Sequence, residues 1–149
     1  MTDNINREVN FVRATQRWIE QTNYKQLFDV FESNHCFQLF ITLDNKSLYR
    51  LSVAKGDKLI TIKRYYNRRI QTVCGSINDK GQLTLTLDSK ISLKLAVQLF
   101  DLLTNPEREF VYFAKTTKRC SFCNTSLTNE QIKLKEYTHK HHEKQENKT

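Results

Sequence analysis

The sequence predicts an α+β fold: an antiparallel five-stranded meander flanked by N-terminal and C-terminal helices, then a small C-terminal cysteine–histidine element. Three observations carry this reading. Apolar residues recur at helical spacing before residue 34 and after residue 89, but the period changes to two between 36 and 87. Short turn sequences separate the alternating runs, which makes sequential strands antiparallel hairpins. Cys120 and Cys123 precede three of the chain's four histidines. The expected organisation is an α+β domain over 1–117 (helices 4–33, sheet 36–87, helices 89–116), the cysteine–histidine element over 118–143, and a disordered tail over 144–149.

In the first helical segment Ile5, Val9, Val12 and Ile19 fall near one stripe, with Phe11 and Trp18 beside it. A second short helix after Asn23 presents Leu27, Phe28, Val30 and Phe31, and Asn34 is its stop signal. Both helices are read as covers for the sheet. The strands follow. Phe37, Leu39 and Ile41 alternate with Gln38, Phe40 and Thr42, then Asp44-Asn45-Lys46 turns the chain. Leu48 to Val53 alternates again up to the turn Lys55-Gly56-Asp57. Leu59 to Lys63 and Ile70 to Ile77 are β-branched runs, and Asn78 to Gly81 is a third turn. Leu83, Leu85 and Leu87 end the meander.

After the sheet, Ser89 or Ser92 is the expected cap of a helix whose face is Leu95, Leu99 and Leu102. Pro106 interrupts that helix and suits the first turn of another, Glu107 to Lys115, with Phe110, Tyr112 and Phe113 as core residues.

The composition excludes several classes. At 149 residues with 38% hydrophobic and 11% aromatic residues, the chain can bury a real core. With 3 glycines and 1 proline, collagen-like and linker-like readings fail. No window approaches a membrane helix, so no membrane partner is expected. The start, MTDNINREVNFVR, lacks the apolar core of a secretory signal, so a cytoplasmic location is expected, the host cytoplasm if the protein is viral. Abundant Lys and Asn fit an AT-rich genome such as a phage's.

Net charge is +8, and it is uneven: −1 over 1–33, +6 over 34–104 and +3 over 105–149. The excess sits in the strand region and points to an anionic partner. Its sharpest cluster is Lys63, Arg64, Tyr65, Tyr66, Asn67, Arg68 and Arg69 between two β runs. Cations can hold phosphates there, and tyrosines can stack on bases. The alternative is a soluble hairpin whose tyrosines pack. No RRM, KH or helix-turn-helix signature accompanies the cluster.

Cys120-x-x-Cys123 brings two thiolates to one tight turn, a geometry suited to tetrahedral Zn²⁺. Fifteen residues separate Cys123 from His139. Thr128 to Gln131 reads as a capping box that starts a helix near Asn129. On that helix His139 and His142 share a face, which makes them the favoured remaining ligands; His141 replaces His142 if the helix frays. A redox reading lacks the βαβ context it needs, and the spacing differs from that of a DNA-reading finger. Two ordinary cysteines beside a solvated His-rich tail is the other reading. With four protein ligands the metal is structural. Because residues 118–149 carry few large apolar groups, metal binding is expected to fold this segment alone, so chelation should free the C-terminus and leave the sheet intact.

Arg119-Cys-Ser-Phe-Cys-Asn-Thr-Ser-Leu-Thr128 resembles a small C-terminal zinc-knuckle module of phage and actinobacterial proteins of unknown function, written R-C-x-x-C-G-x-x-L-T. The meander and helix ahead of it are also similar. The resemblance implies a zinc module and little about activity. The chain departs from the pattern at Asn124, where the module has Gly, and by offering histidines for a later cysteine.

Cys36 and Cys74 fall in strand patterns and are read as core residues. His35 is remote from the other histidines. No nucleophile–base pair, carboxylate pair or Gly-rich phosphate loop is present, so no enzyme is expected. The leading functional expectation is a non-enzymatic, zinc-stabilised protein that binds DNA or RNA. The alternatives are an inhibitor or adaptor that blocks a host nucleic-acid-processing protein, and a structural component of a larger assembly.

Overall fold

The computed structural model describes residues 2–44, 46–54, 58–67 and 69–133. Helices α1 (Thr2–Gln21) and α2 (Gln26–Ser33) lead into strands β1 (Gln38–Leu43), β2 (Ser47–Val53), β3 (Ile60–Tyr65), β4 (Gln71–Ile77) and β5 (Leu83–Leu85). Helices α3 (Ser89–Thr104), α4 (Pro106–Thr117) and α5 (Asn129–Lys133) follow. The sheet is antiparallel throughout, in the order β1-β2-β3-β4-β5, so the expected meander is the observed one. Among the described residues no helix is long and apolar enough to cross a membrane.

The strand period sorts the side chains onto two faces. Leu39, Ile41, Tyr49, Leu51, Ile60 and Ile62 form the inner face. Helix α3 lays Leu95, Ala96, Leu99 and Leu102 into the same core, all fully buried, and α2 adds Leu27, Val30 and Phe31. Between β3 and β4 the register shifts: Ile62 faces Gly75 but Lys63 faces Val73. Cys74 is the extra residue of this bulge and turns into the core. Burial pushes the thiols of Cys74 and Cys36 up, that of Cys36 to about 12, so both pack as neutral side chains.

Helix α1 docks through a face other than the valine stripe. Val9 and Val12 are 43% and 46% exposed, whereas Thr15 is buried and Trp18 and Ile19 pack on the core. The Thr15 hydroxyl donates to the Phe11 carbonyl at 2.9 Å, so a polar residue sits inside the buried stripe with its hydroxyl satisfied. Trp18 sets its ring edge-on to Phe100 of α3 at 5.7 Å, and its Nε1 donates to the Tyr24 hydroxyl, which donates to the Ala96 carbonyl. The helix therefore packs largely on α3 rather than directly on the sheet.

The caps refine the expected boundaries. Asp88, in extended conformation, accepts from the Ile91 amide and caps α3 in place of Ser89 or Ser92. Ser92 is buried and donates to the Leu87 carbonyl instead. Pro106 opens α4 as expected, behind an Asn105 cap. Phe110 and Phe113 are buried, but Tyr112 is 40% exposed, and the buried place on that turn goes to Glu109. At the end of α2 the Asn34 side chain donates to the Val30 carbonyl.

Two residues of this framework carry measurable consequences. Gly81 has φ +83°, its carbonyl accepts from the Tyr24 amide, and a Cβ there would overlap Asn23 Oδ1 and the Lys25 amide. Gly81→Ala is expected to cost about 2–3 kcal/mol, from left-handed strain plus loss of the α1–α2 linker docking, measured by urea denaturation. Glu109 accepts a hydrogen bond from Gln98, and burial, with Asp101 nearby, raises its carboxyl above the ordinary value. A raised folded value means that its contribution is fully present below the unfolded value and is lost as pH rises through the folded one. Glu109→Gln should therefore raise the melting temperature at pH 7 and leave it nearly unchanged at pH 4.

Candidate functional site

The outer face of the sheet is ordered in rows across the strands. One end row runs Gln38, Ser52, Thr61, Ser76; the middle row Phe40, Arg50, Lys63, Val73; the other end row Thr42, Leu48, Tyr65, Gln71. Arg50 and Lys63 are direct cross-strand partners. Like charges placed opposite one another destabilise a sheet. A carboxylate between them would remove that cost, yet none of the five strands contains an aspartate or glutamate. The Arg50 Nε atom is buried and finds no hydrogen-bond partner among the described residues. The Phe40 ring, which is buried, lies 6.3 Å from that of Tyr65 in the neighbouring row.

The predicted basic cluster is divided by the strand period. Lys63 and Tyr65 lie on the outer face. Arg64 lies on the inner side, its guanidinium 6.0 Å from the ring of the buried Tyr49 and 5.3 Å from the ring of Tyr66. Burial raises the Tyr49 phenol, and the Arg64 charge partly offsets this. Tyr66 is 60% exposed, and Arg69 is exposed in the tight turn where Asn67 Oδ1 accepts from the amides of residues 69 and 70. Arg68 lies outside the described residues. Arg50 is absent from the cluster that the sequence marks. Its signal is the parity of Leu48 to Val53, which sets it opposite Tyr49 and Leu51, combined with the β2–β3 register.

Beyond the middle row the sheet meets the cysteine turn. Cys120 and Cys123 sit on a hairpin closed by an Arg119–Ser126 bridge, with the Cys120 amide donating to the Thr125 carbonyl and the Asn124 amide to the Cys120 carbonyl. Asn124 has φ 57°, a left-handed conformation that Asn tolerates better than most residues, so it can stand where the zinc-knuckle pattern has Gly. The Phe122 amide lies 3.4 Å from Cys120 Sγ. A hydrogen bond with Cys123 and burial hold the Cys120 thiol well above its ordinary value. The hairpin is fixed to the edge strand: the Phe40 amide donates to the Ser121 carbonyl and Gln38 Nε2 to the Phe122 carbonyl. It thereby covers the edge of β1.

Helix α5 starts where the capping box predicts, with the Gln131 amide donating to Thr128 Oγ1 and the Thr128 amide to Gln131 Oε1. His139, His141 and His142 lie outside the described residues. Among the described residues no three metal-ligating side chains converge.

No protein-family model, curated protein or solved structure matches this chain. The functional reading therefore rests on the chemistry of its own surfaces.

Between α4, the cysteine hairpin and the Thr42–Leu48–Tyr65 row lies a groove of about 740 Å³. Lys46 and Arg119 supply its cations, Tyr65 and Tyr66 line it, and Leu48 and Phe113 provide apolar surface. Among the described residues no carboxylate lines it. Arg119 Nη1 donates to the Asn124 carbonyl at 3.3 Å, which ties one wall to the hairpin turn.

Proposed function

We propose that this protein binds single-stranded nucleic acid on the outer face of its sheet, without catalysis, and that its cysteine hairpin holds a structural Zn²⁺. The observation that carries the first part is the Arg50–Lys63 pair, two cations facing each other on strands that contain no carboxylate. A phosphate laid between them relieves the repulsion and gains charge-assisted hydrogen bonds. A single strand suits the face better than a duplex, because an unstacked base can rest on the partly exposed Tyr65 ring while the backbone follows the cations.

Three features support the zinc reading. Two cysteines share a tight turn, the Phe122 amide is directed at Cys120 Sγ, and α5 begins at Asn129, between the cysteines and the histidines in the chain. We assign the remaining ligands to His139 and His142, with His141 as the substitute for His142.

The test is fluorescence anisotropy with labelled oligo-dT and oligo-U over a salt series. Binding should weaken linearly in log–log form, with a slope of about −0.7 per phosphate contact. No binding at low salt would remove this reading and leave an acidic protein surface, such as that of a host nucleic-acid-processing protein, as the partner of the cationic face.

A further inference from the structure

The groove beside the sheet has features that the flat face lacks. It is concave, its volume of about 740 Å³ lies in the range of small-ligand sites, and its described walls combine cations, hydroxyls and aromatic rings without a carboxylate. Tyr66 is the most informative residue in it. The Arg64 guanidinium lies 5.3 Å from the ring centroid, yet Tyr66 remains 60% exposed. One side of the ring thus lies against a cation, and the exposed area is available for stacking. Lys46 and Arg119 line the same groove, as do Thr116 and Thr117.

We propose that this groove binds one nucleotide, with its base stacked on Tyr66 and its phosphate at Lys46 and Arg119. The nucleotide is either free or the end of a strand; the latter case rests on the sheet-face reading above, since Tyr65 borders both the groove and the Arg50–Lys63 row.

The experiment compares three ligands on the intact protein: nucleoside monophosphates, a linear end-phosphorylated oligo-dT, and a circular oligo-dT of the same length. Monophosphates should shift the amide resonances of residues 46, 66 and 119. Lys46→Ala and Tyr66→Ala, both at exposed positions, should each weaken monophosphate binding about tenfold. Neither should change affinity for the circle, and Tyr112→Ala, at an exposed tyrosine outside the groove, should change neither. Tighter binding of the linear strand than of the circle identifies a strand end as the source; monophosphate binding without that gain identifies a free nucleotide. Absent groove shifts, or monophosphate affinity unchanged by Tyr66→Ala, would overturn the proposal. Binding of the circle in that event would leave the sheet-face reading standing. Monophosphate binding without any binding of the circle would do the reverse.

Discussion

Replacing Arg50 and Lys63 together by threonine is expected to weaken single-strand binding about a hundredfold at low salt and to make the protein more stable. The first effect follows from two lost phosphate contacts of about 1.4 kcal/mol each. The second follows from the register, which sets the two cations directly opposite one another. Exchanging a like-charged pair for two β-branched residues should gain about 0.5–1 kcal/mol. Removing the buried Arg50 Nε, which has no hydrogen-bond partner among the described residues, adds to that gain. Opposite movements of affinity and stability are the signature of residues kept for a partner. Denaturant midpoints and anisotropy on the same preparations check both. A variant that loses stability and still binds would mean that Arg50 and Lys63 serve packing.

The extent to which this face is legible in the sequence depends on which physical signal each feature carries. The meander is legible because period-two alternation and short turns are local. The same alternation also separates Arg64 from Lys63 and Tyr65, a division that a cluster read as neighbours in sequence conceals. Arg50 stays hidden because its importance is a register fact: it needs β2 aligned on β3, and nothing near residue 50 states that alignment. The α1 stripe misleads for a different reason. Thr15 is buried with its hydroxyl returned to the Phe11 carbonyl, so the docking face is marked by a polar residue, while Val9 and Val12 face outward. The Asp88 cap is masked by two nearby serines, because aspartate and serine cap about equally well. The Thr128 capping box is legible because both of its bonds are made within four residues.

If the cysteine hairpin holds zinc, removing the metal should lower the stability of the fold as a whole. A hairpin serving as a separate appendage would give a different result, loss of the C-terminal segment alone. The packing argues for the shared outcome. Cys120, Phe122 and Leu127 belong to the same hydrophobic cluster as the inner sheet face and α3. The Phe122 ring packs 4.9 Å from that of Phe110 in α4, and two hydrogen bonds join the hairpin to β1. Loosening the hairpin would uncover both the edge of β1 and one end of that cluster. With free zinc at about a thousand times its dissociation constant, linkage makes the metal worth about 4 kcal/mol of folding free energy. Chelation should therefore shift the main thermal transition downward by many degrees, and Cys120→Ser should do the same without chelator. Native mass spectrometry should find one Zn²⁺ per chain. A chain that binds no zinc while folded, with Cys120 and Cys123 both alkylated at the rate of exposed thiols, would defeat the assignment. A chelator that releases only the residues after 118, with the main transition unmoved, would keep the metal but show that the contacts between the hairpin and β1 contribute little.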